Sequence, residues 1–461
     1  MENQYYVYLE MTINKNLSYI FFFIIYLFAG SYLSITNGIT SDEYIEQLNW
    51  QVNISAILSF FKNGNYNDLL DYGDRYHGIG FHYISQPIQF LFHKLVANIN
   101  DLSVLGGYLV SKHLAVFLLF SVSGVFFYLL SYKLTKNLSF SFISASLYLL
   151  HPYLFGHSQF NPKDMPFLSF WLINSYISLT VIENFFLEKK VSIKKIIILS
   201  FLTAFLISIR IVGILILLQY LIGVIVLFNI KKIEINNFIK MNFVIISIFC
   251  FFLLLFTYIL NPIFWHNPLE IINSINWMSK YHNEICTLTL GTCMNSLSLP
   301  ASYYFIWLFF KLPIIVLLGI LLFPFVEKKI FNDKSTSIYY TTLLVTFFVI
   351  LFVFILKNVA VYDELRHVIF LVPIVFLIGL TNLFYFNKKL FTNLGTLVIL
   401  FFLLENFSLK PYQYTWLNSF AKLTDIQKNF EIDYWGVSNK NLAKKIVEYS
   451  EENSINKDTC I

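Results

Sequence analysis

The sequence predicts an all-α polytopic membrane protein, and three observations carry that prediction. Of its 461 residues 57% are hydrophobic and 13% are charged, against about a quarter charged in a soluble chain. The mean hydropathy is +0.65. Apolar runs long enough to cross a bilayer recur along the chain, separated by short basic turns and longer polar loops. The 51 Phe and 30 Tyr suit lipid contact and interfacial belts. A net charge of +5 is too small to point to nucleic acid, so none is expected as a partner.

The first apolar run, Leu17 to Ile35, is followed by no small-residue cleavage site, so a retained anchor is expected rather than a removed signal peptide. A polar loop over about 37–103 comes next. Further spans are expected at about 104–132, 138–152, 165–186, 241–260, 302–325, 337–356, 367–386 and 390–406. The stretch from Ile196 to Phe228 is too long for one ordinary span and contains Arg210. It therefore divides into two short helices meeting near that arginine, which makes about eleven spans. The division keeps Lys133, Lys136, Lys189, Lys190, Lys231, Lys232, Lys328, Lys329, Lys388 and Lys389 on one side, as the positive-inside rule requires. The N-terminus is then cytoplasmic and the C-terminus extracytoplasmic. Residues 1–406 form one transmembrane domain, with the first extracytoplasmic loop at about 37–103, and residues 407–461 form a short tail. Cys286 and Cys293 share one polar loop, which leaves open a disulfide on an oxidising face or two reduced thiols.

Chemistry-bearing residues collect in the loops opposite the lysine-rich turns. Asp42-Glu43 follows the first span, and a carboxylate near a membrane surface can act as general base toward a hydroxyl. The same pair can equally be a solvated cap of a juxtamembrane helix. Arg75 and His77 lie in the same loop and can offset the charge of a departing phosphate. Lys163-Asp164 opens another span between Pro162 and Pro166. An acid there also fits the helix macrodipole without any function. Arg366-His367, beside Asp363-Glu364, suits phosphate or pyrophosphate, although an arginine here can also be an interface anchor. Arg210, within apolar sequence, should line a cavity or pair with an acid. The tail segments Lys410–Tyr414 and Glu431–Gly436 either bind an acceptor or dock the tail.

These pieces together resemble the glycosyltransferase family 39 and related C-type (GT-C) membrane glycosyltransferases, which include protein O-mannosyltransferases and lipid A aminoarabinose transferases. The likeness rests on Asp42-Glu43 in the first loop, Asp164 after the third span, and the overall topology. A bacterial family-39-like subgroup is similar at Phe160–Phe167, at Arg366-His367 with Phe370 and Pro373, and at Asp433-Tyr434-Trp435-Gly436. The resemblance implies a GT-C fold in the inner membrane of a bacterium and inverting transfer of a sugar from a polyprenyl-phosphate carrier to a lipid, glycan or protein acceptor. It implies Asp42, with Glu43 and Asp164, as the catalytic acids, Asp42 being the base. Lys163, Arg366 or His367 would hold the lipid phosphate. The absence of an inserted soluble domain weighs against a protein acceptor. No tight His/Cys set appears, so no metal or other cofactor is expected. A lipid-sugar flippase, which calls for charges in several spans and matching halves, and an O-antigen polymerase or ligase are the competing readings.

Overall fold

The computed structural model describes residues 2–232, 234–279 and 284–452, with side chains from residue 19 onward. The helices that shape the molecule are α1 (Glu2–Thr36), α2 (Glu43–Asn63), α3 (His82–Asn100), α4 (Val104–Thr135), α5 (Leu138–Leu150), α6 (Pro152–Ser158) and α7 (Asp164–Phe186). They continue as α8 (Ile193–Ile209), α9 (Ile216–Lys231), α10 (Ile235–Leu260), α11 (Ser302–Lys311), α12 (Ile314–Leu321) and α13 (Phe323–Asn332). The last are α14 (Lys334–Leu356), α15 (Val372–Phe386), α16 (Lys388–Ser408) and α17 (Asn439–Glu452). A hairpin of β1 (Cys286–Thr289) and β2 (Thr292–Asn295) is the one sheet among the described residues, paired antiparallel with Cys286 opposite Asn295. Cys286 and Cys293 are joined by a disulfide within it.

The chain is a multi-pass membrane protein. Eight helices among the described residues are long and apolar enough to cross a bilayer, or up to ten if each of two bent pairs is one span. The expected eleven is not reached by that measure. Helix α8 has 17 residues, the lower limit for a crossing. The run expected as one span at 302–325 is instead bent by 120° between α11 and α12. Pro313 causes the break: it excludes the helical conformation at Leu312, whose ψ is 141°, and has no N–H to continue the ladder. Helices α12 and α13 then run along α15, with Gly319 laid directly on the backbone of Gly379 and Lys329 bonded to the Tyr385 carbonyl. Pro152 bends the 138–158 run by 61° in the same way.

The division at Arg210 is as expected. Helix α8 stops at Ile209, Arg210 is extended (φ −147°, ψ 132°), and a 3₁₀ turn over Ile211–Leu215 leads into α9. The first loop is mostly helical, made of α2 and α3. Burial separates a central set from a lipid-facing one. The apolar windows of the Arg366–Phe386 and Asp164–Phe186 spans are 94% and 83% buried, against 11% for α10. Lysines gather at one end of this bundle, where Glu183 takes Lys133, Ser335 and Tyr339, and Lys231 meets Glu188. The acids and arginines of the loops gather at the other.

Candidate functional site

The site is built where the first turn of α2, the turn before α7, the break at Arg210 and the polar turn before α15 converge. Arg366 is its centre. Its Nη2 donates to Asp42 Oδ2 at 2.9 Å, its Nη1 donates to Asp363 Oδ2 at 2.7 Å, and its Nε lies 3.6 Å from Asp164 Oδ2. The guanidinium lies against two aromatic rings, 4.5 Å from the Trp435 centroid and 5.3 Å from that of Tyr362. Only a planar, multi-donor head can meet three carboxylates and two rings at once.

Asp164 is shared. Its Oδ1 lies 2.6 Å from Arg210 Nη2, and its Oδ2 accepts from Asn161 Nδ2 at 2.9 Å. Asn161 Oδ1 in turn accepts from the Asp164 N–H, so one turn of chain locks the carboxylate's direction. Three carboxylates thus share two guanidinium groups. Exposure distinguishes the acids: the side chain of Asp42 is 41% exposed, that of Asp363 15% and that of Asp164 1%. Asp42 is the carboxylate of the three that is most open to solvent.

Beside this network lies a second one. Lys163 Nζ donates to Glu46 Oε1 at 2.8 Å and stands 3.5 Å from His77 Nδ1. His82 Nε2 is 4.0 Å from Glu46 Oε2, and its ring stacks on Trp50. Burial, with the cationic Lys163 and Arg210 nearby, pushes His77 down to about 3, so its ring is neutral at physiological pH. Glu43 faces inward. Its Oε1 accepts from the N–H and hydroxyl of Thr40, and its Oε2 lies 2.9 Å from His113 Nε2. His113 Nδ1 faces the Ser34 carbonyl at 3.1 Å. Both imidazole nitrogens therefore face oxygen atoms, which ties α2 to α1 through α4.

The turn before α15 is strained. Asp363 and Glu364 have φ of 53° and 64°, a left-handed pair without glycine. The strained pair sends Asp363 to Arg366 and Glu364 to Lys311, whose Nζ is 2.7 Å away in a fully buried pair. Burial pushes the Glu364 carboxyl up to about 8 against the pull of the Lys311 ammonium, and burial pushes Asp363 up to about 6 against Arg366. The hairpin and the tail hold the turn from outside. Thr287 Oγ1 accepts from the Asp363 N–H, Leu288 and Glu431 exchange hydrogen bonds, and the Trp435 carbonyl accepts from the N–H of Ser41. The tail docks onto the site: Trp435 covers Arg366, Tyr414 bonds to Asp433, and Tyr434 meets His157.

Of the residues singled out from sequence, Asp42, Asp164, Arg210 and Arg366 are brought into one network, with Lys163 in the adjoining one. Glu43, though next to Asp42, is 1% exposed and turned away from the opening. Arg75 is outside both networks, donating to the Leu70 carbonyl and lying over the Tyr76 ring. His367 stands against Tyr362, and its Nδ1 has no partner. Among the described residues no three His, Cys, Asp or Glu side chains are grouped as a metal site. Comparison with protein-family models finds none that matches the chain, and a search of curated proteins finds no match either.

Sequence reasoning passed over Glu46 and Lys311, and noted Asp363-Glu364 as acids beside Arg366-His367 without their partners. Glu46 had a legible signal, since it stands four residues after Asp42 and so shares its helix face. Lys311 carried the same signal as Arg210, a charge within an apolar run, but nothing in that run tells which distant acid it will meet.

Proposed function

We propose that the protein is a membrane glycosyltransferase of the GT-C type. It moves one sugar, with inversion, from a polyprenyl-phosphate carrier to an acceptor hydroxyl. On this reading the acceptor oxygen attacks the anomeric carbon, the bond from that carbon to the phosphate oxygen breaks, and the phosphate leaves with the electron pair. The acceptor proton goes to Asp42. Arg366, fixed by Asp164 and Asp363, orients that carboxylate, and the basic groups beside it offset the phosphate charge. The acid end would face the periplasmic side of a bacterial inner membrane, the lysine-rich end the cytoplasm, with eleven spans if both bent pairs and α8 cross as well.

The observation that supports this reading most is Asp42, the most exposed of the three carboxylates around Arg366, held by that arginine at one end of a helical bundle. The test uses the purified protein in lipid, wild type beside Asp42→Asn, with a panel of polyprenyl-phosphate sugars and an envelope extract as acceptor source. Wild type should consume one donor, and Asp42→Asn should lose about 10²-fold or more of that rate, the usual weight of a general base, while remaining folded. Equal rates remove Asp42 as the base. If no donor is consumed but lipid-linked sugar crosses the bilayer, the protein is a transporter.

A further inference from the structure

At the lysine-rich end, away from the acids and arginines of the candidate site, a cavity of about 390 Å³ opens between α9, α13 and α14. That volume lies within the range of about 300–1,000 Å³ usual for small-ligand pockets. Val226 and Asn229 of α9, Phe331 of α13, and Lys334, Ser337 and Thr341 of α14 line it. The side chains of Asn229, Lys334 and Thr341 have no hydrogen bond or ion pair among the described residues. Their neighbours at this end are paired, Lys133 and Ser335 with Glu183 and Lys231 with Glu188. Asp333, the acid next to Lys334, is turned to Ser335 and Thr336, and the Ser337 hydroxyl donates to the Phe331 and Asp333 carbonyls. The cavity therefore offers an ammonium, an amide and a hydroxyl, with no carboxylate among its lining residues. That set suits an anion.

Its surroundings say where the anion comes from. Lys231 is the last residue of α9 and Lys334 the first of α14, so the mouth lies at the helix ends. From Lys334 to Thr341 is two turns of helix, about 10 Å, enough to pass through a headgroup layer of about 5–8 Å on one side of the hydrocarbon core. Deeper along the same helices the outer positions are apolar and exposed: Leu221 and Ile225 on α9, and Val345, Phe348 and Phe352 on α14. Spacings of three, four and seven residues put them on the faces that carry Asn229 and the Lys334–Thr341 pair. Helices α9 and α14 pack side by side, so two apolar ribs flank a seam that ends in the polar cavity. A free anion has no use for such a seam, whereas a lipid needs it for its chains. Basic pockets between spanning helices are the usual seats of anionic headgroups.

We propose that this cavity seats the headgroup of an anionic phospholipid, with Lys334 pairing its phosphate, Asn229 and Thr341 bonding its remaining oxygens, and its acyl chains lying along the α9–α14 seam. The site is at the opposite end of the bundle from Asp42 and Arg366 and does not rest on the function proposed above.

The full-length protein, delipidated in detergent, is titrated with phosphatidylglycerol, with zwitterionic phosphatidylcholine and with glycerol 3-phosphate, and bound ligand is counted by native mass spectrometry. Wild type should bind phosphatidylglycerol about tenfold or more tightly than phosphatidylcholine, the weight of one charge-assisted contact. Lys334→Gln should remove that preference. Lys389→Gln takes the same charge from the same end at an exposed position outside the cavity, and should keep it. Thr341→Phe fills the cavity without changing charge and should weaken phosphatidylglycerol by about tenfold. Should that variant fail to fold, Asn229→Leu, at an exposed position, takes its place with the same expectation. Wild-type binding without headgroup preference overturns the site, and so does an equal loss in Lys334→Gln and Lys389→Gln, which is diffuse charge attraction. Phosphatidylglycerol held as tightly by the cavity variant as by wild type places the lipid elsewhere and overturns it too. Glycerol 3-phosphate bound as tightly as the lipid overturns the lipid as occupant.

Discussion

Arg366 Nη2 meets Asp42 Oδ2 at 2.9 Å across 324 residues of sequence. This contact joins the turn before α15 to the first turn of α2 and turns a loose loop carboxylate into a directed one. Arg366→Lys keeps the charge but cannot meet three carboxylates from one head. On the proposed function it should lower turnover at least tenfold, and it should leave Asp42 or Asp363 without its ion pair. Arg366→Met should cost about 3–5 kcal/mol of stability, the range for breaking a buried pair. The Asp42 arm contributes little of that, about 0–1 kcal/mol, because its carboxylate is partly exposed. Thermal unfolding in detergent, read beside donor turnover, checks both.

Asp164 and Arg210 should behave as a unit. Arg210→Met leaves a carboxylate that is 1% exposed with the Asn161 hydrogen bond and the longer Arg366 contact as its one ion pair, and should destabilise by about 3 kcal/mol. Adding Asp164→Asn removes the uncompensated charge and should recover part of the loss. A double-mutant cycle measures the coupling, expected at about 1–3 kcal/mol. Additive effects would dissolve the pair.

Glu364 makes stability depend on pH. Folded, its carboxyl keeps its proton to about 8; the ordinary value is 4.5. Between those values the folded chain binds more protons than the unfolded chain, so stability falls as pH rises. Asp363, raised from 3.8 to about 6, adds the same sign at lower pH. The melting temperature should therefore decline from about pH 5 to about pH 8, and Glu364→Gln should flatten the decline. A slope unchanged in the variant would assign the dependence elsewhere.

Gly319 tests the descent of α12 along α15. A Cβ there would strike the carbonyl of Gly379, and backbone is a neighbour that cannot swing aside. Gly319→Val should cost about 1–3 kcal/mol or more, as overpacking does, with Tm lowered and the α12–α15 contact opened to cysteine crosslinking. A variant as stable as wild type would place the two helices further apart.

Much of this was readable because the chain is so apolar. With 13% charged residues, each acid or arginine in a loop stands out, and Asp42, Asp164, Arg210 and Arg366 could be named from that alone. The helix break at Arg210 was legible from length and lysine sidedness. The bend at Leu312-Pro313 was not taken from the sequence, although the proline that makes it is plain there, because hydropathy averages over it. Helix α2 hid in the first loop because its Asn, Gln and Trp residues serve a buried polar interior and leave no apolar stripe of period 3.6, whereas α3 carries such a stripe and went unread. The partner of His113 was invisible, since it is Glu43, 70 residues away.

The sequence by itself determined that this chain lives in a membrane, which end of its helices carries acids and arginines, and which few residues can do chemistry. Only the tertiary structure decided which acid meets which base. Asp42 and Glu43 are neighbours in sequence, yet one is 41% exposed on Arg366 and the other is 1% exposed on His113. Successive positions of a helix point about 100° apart, so the packing around α2, rather than the residue type, sets one carboxylate at the opening and seals the other inside.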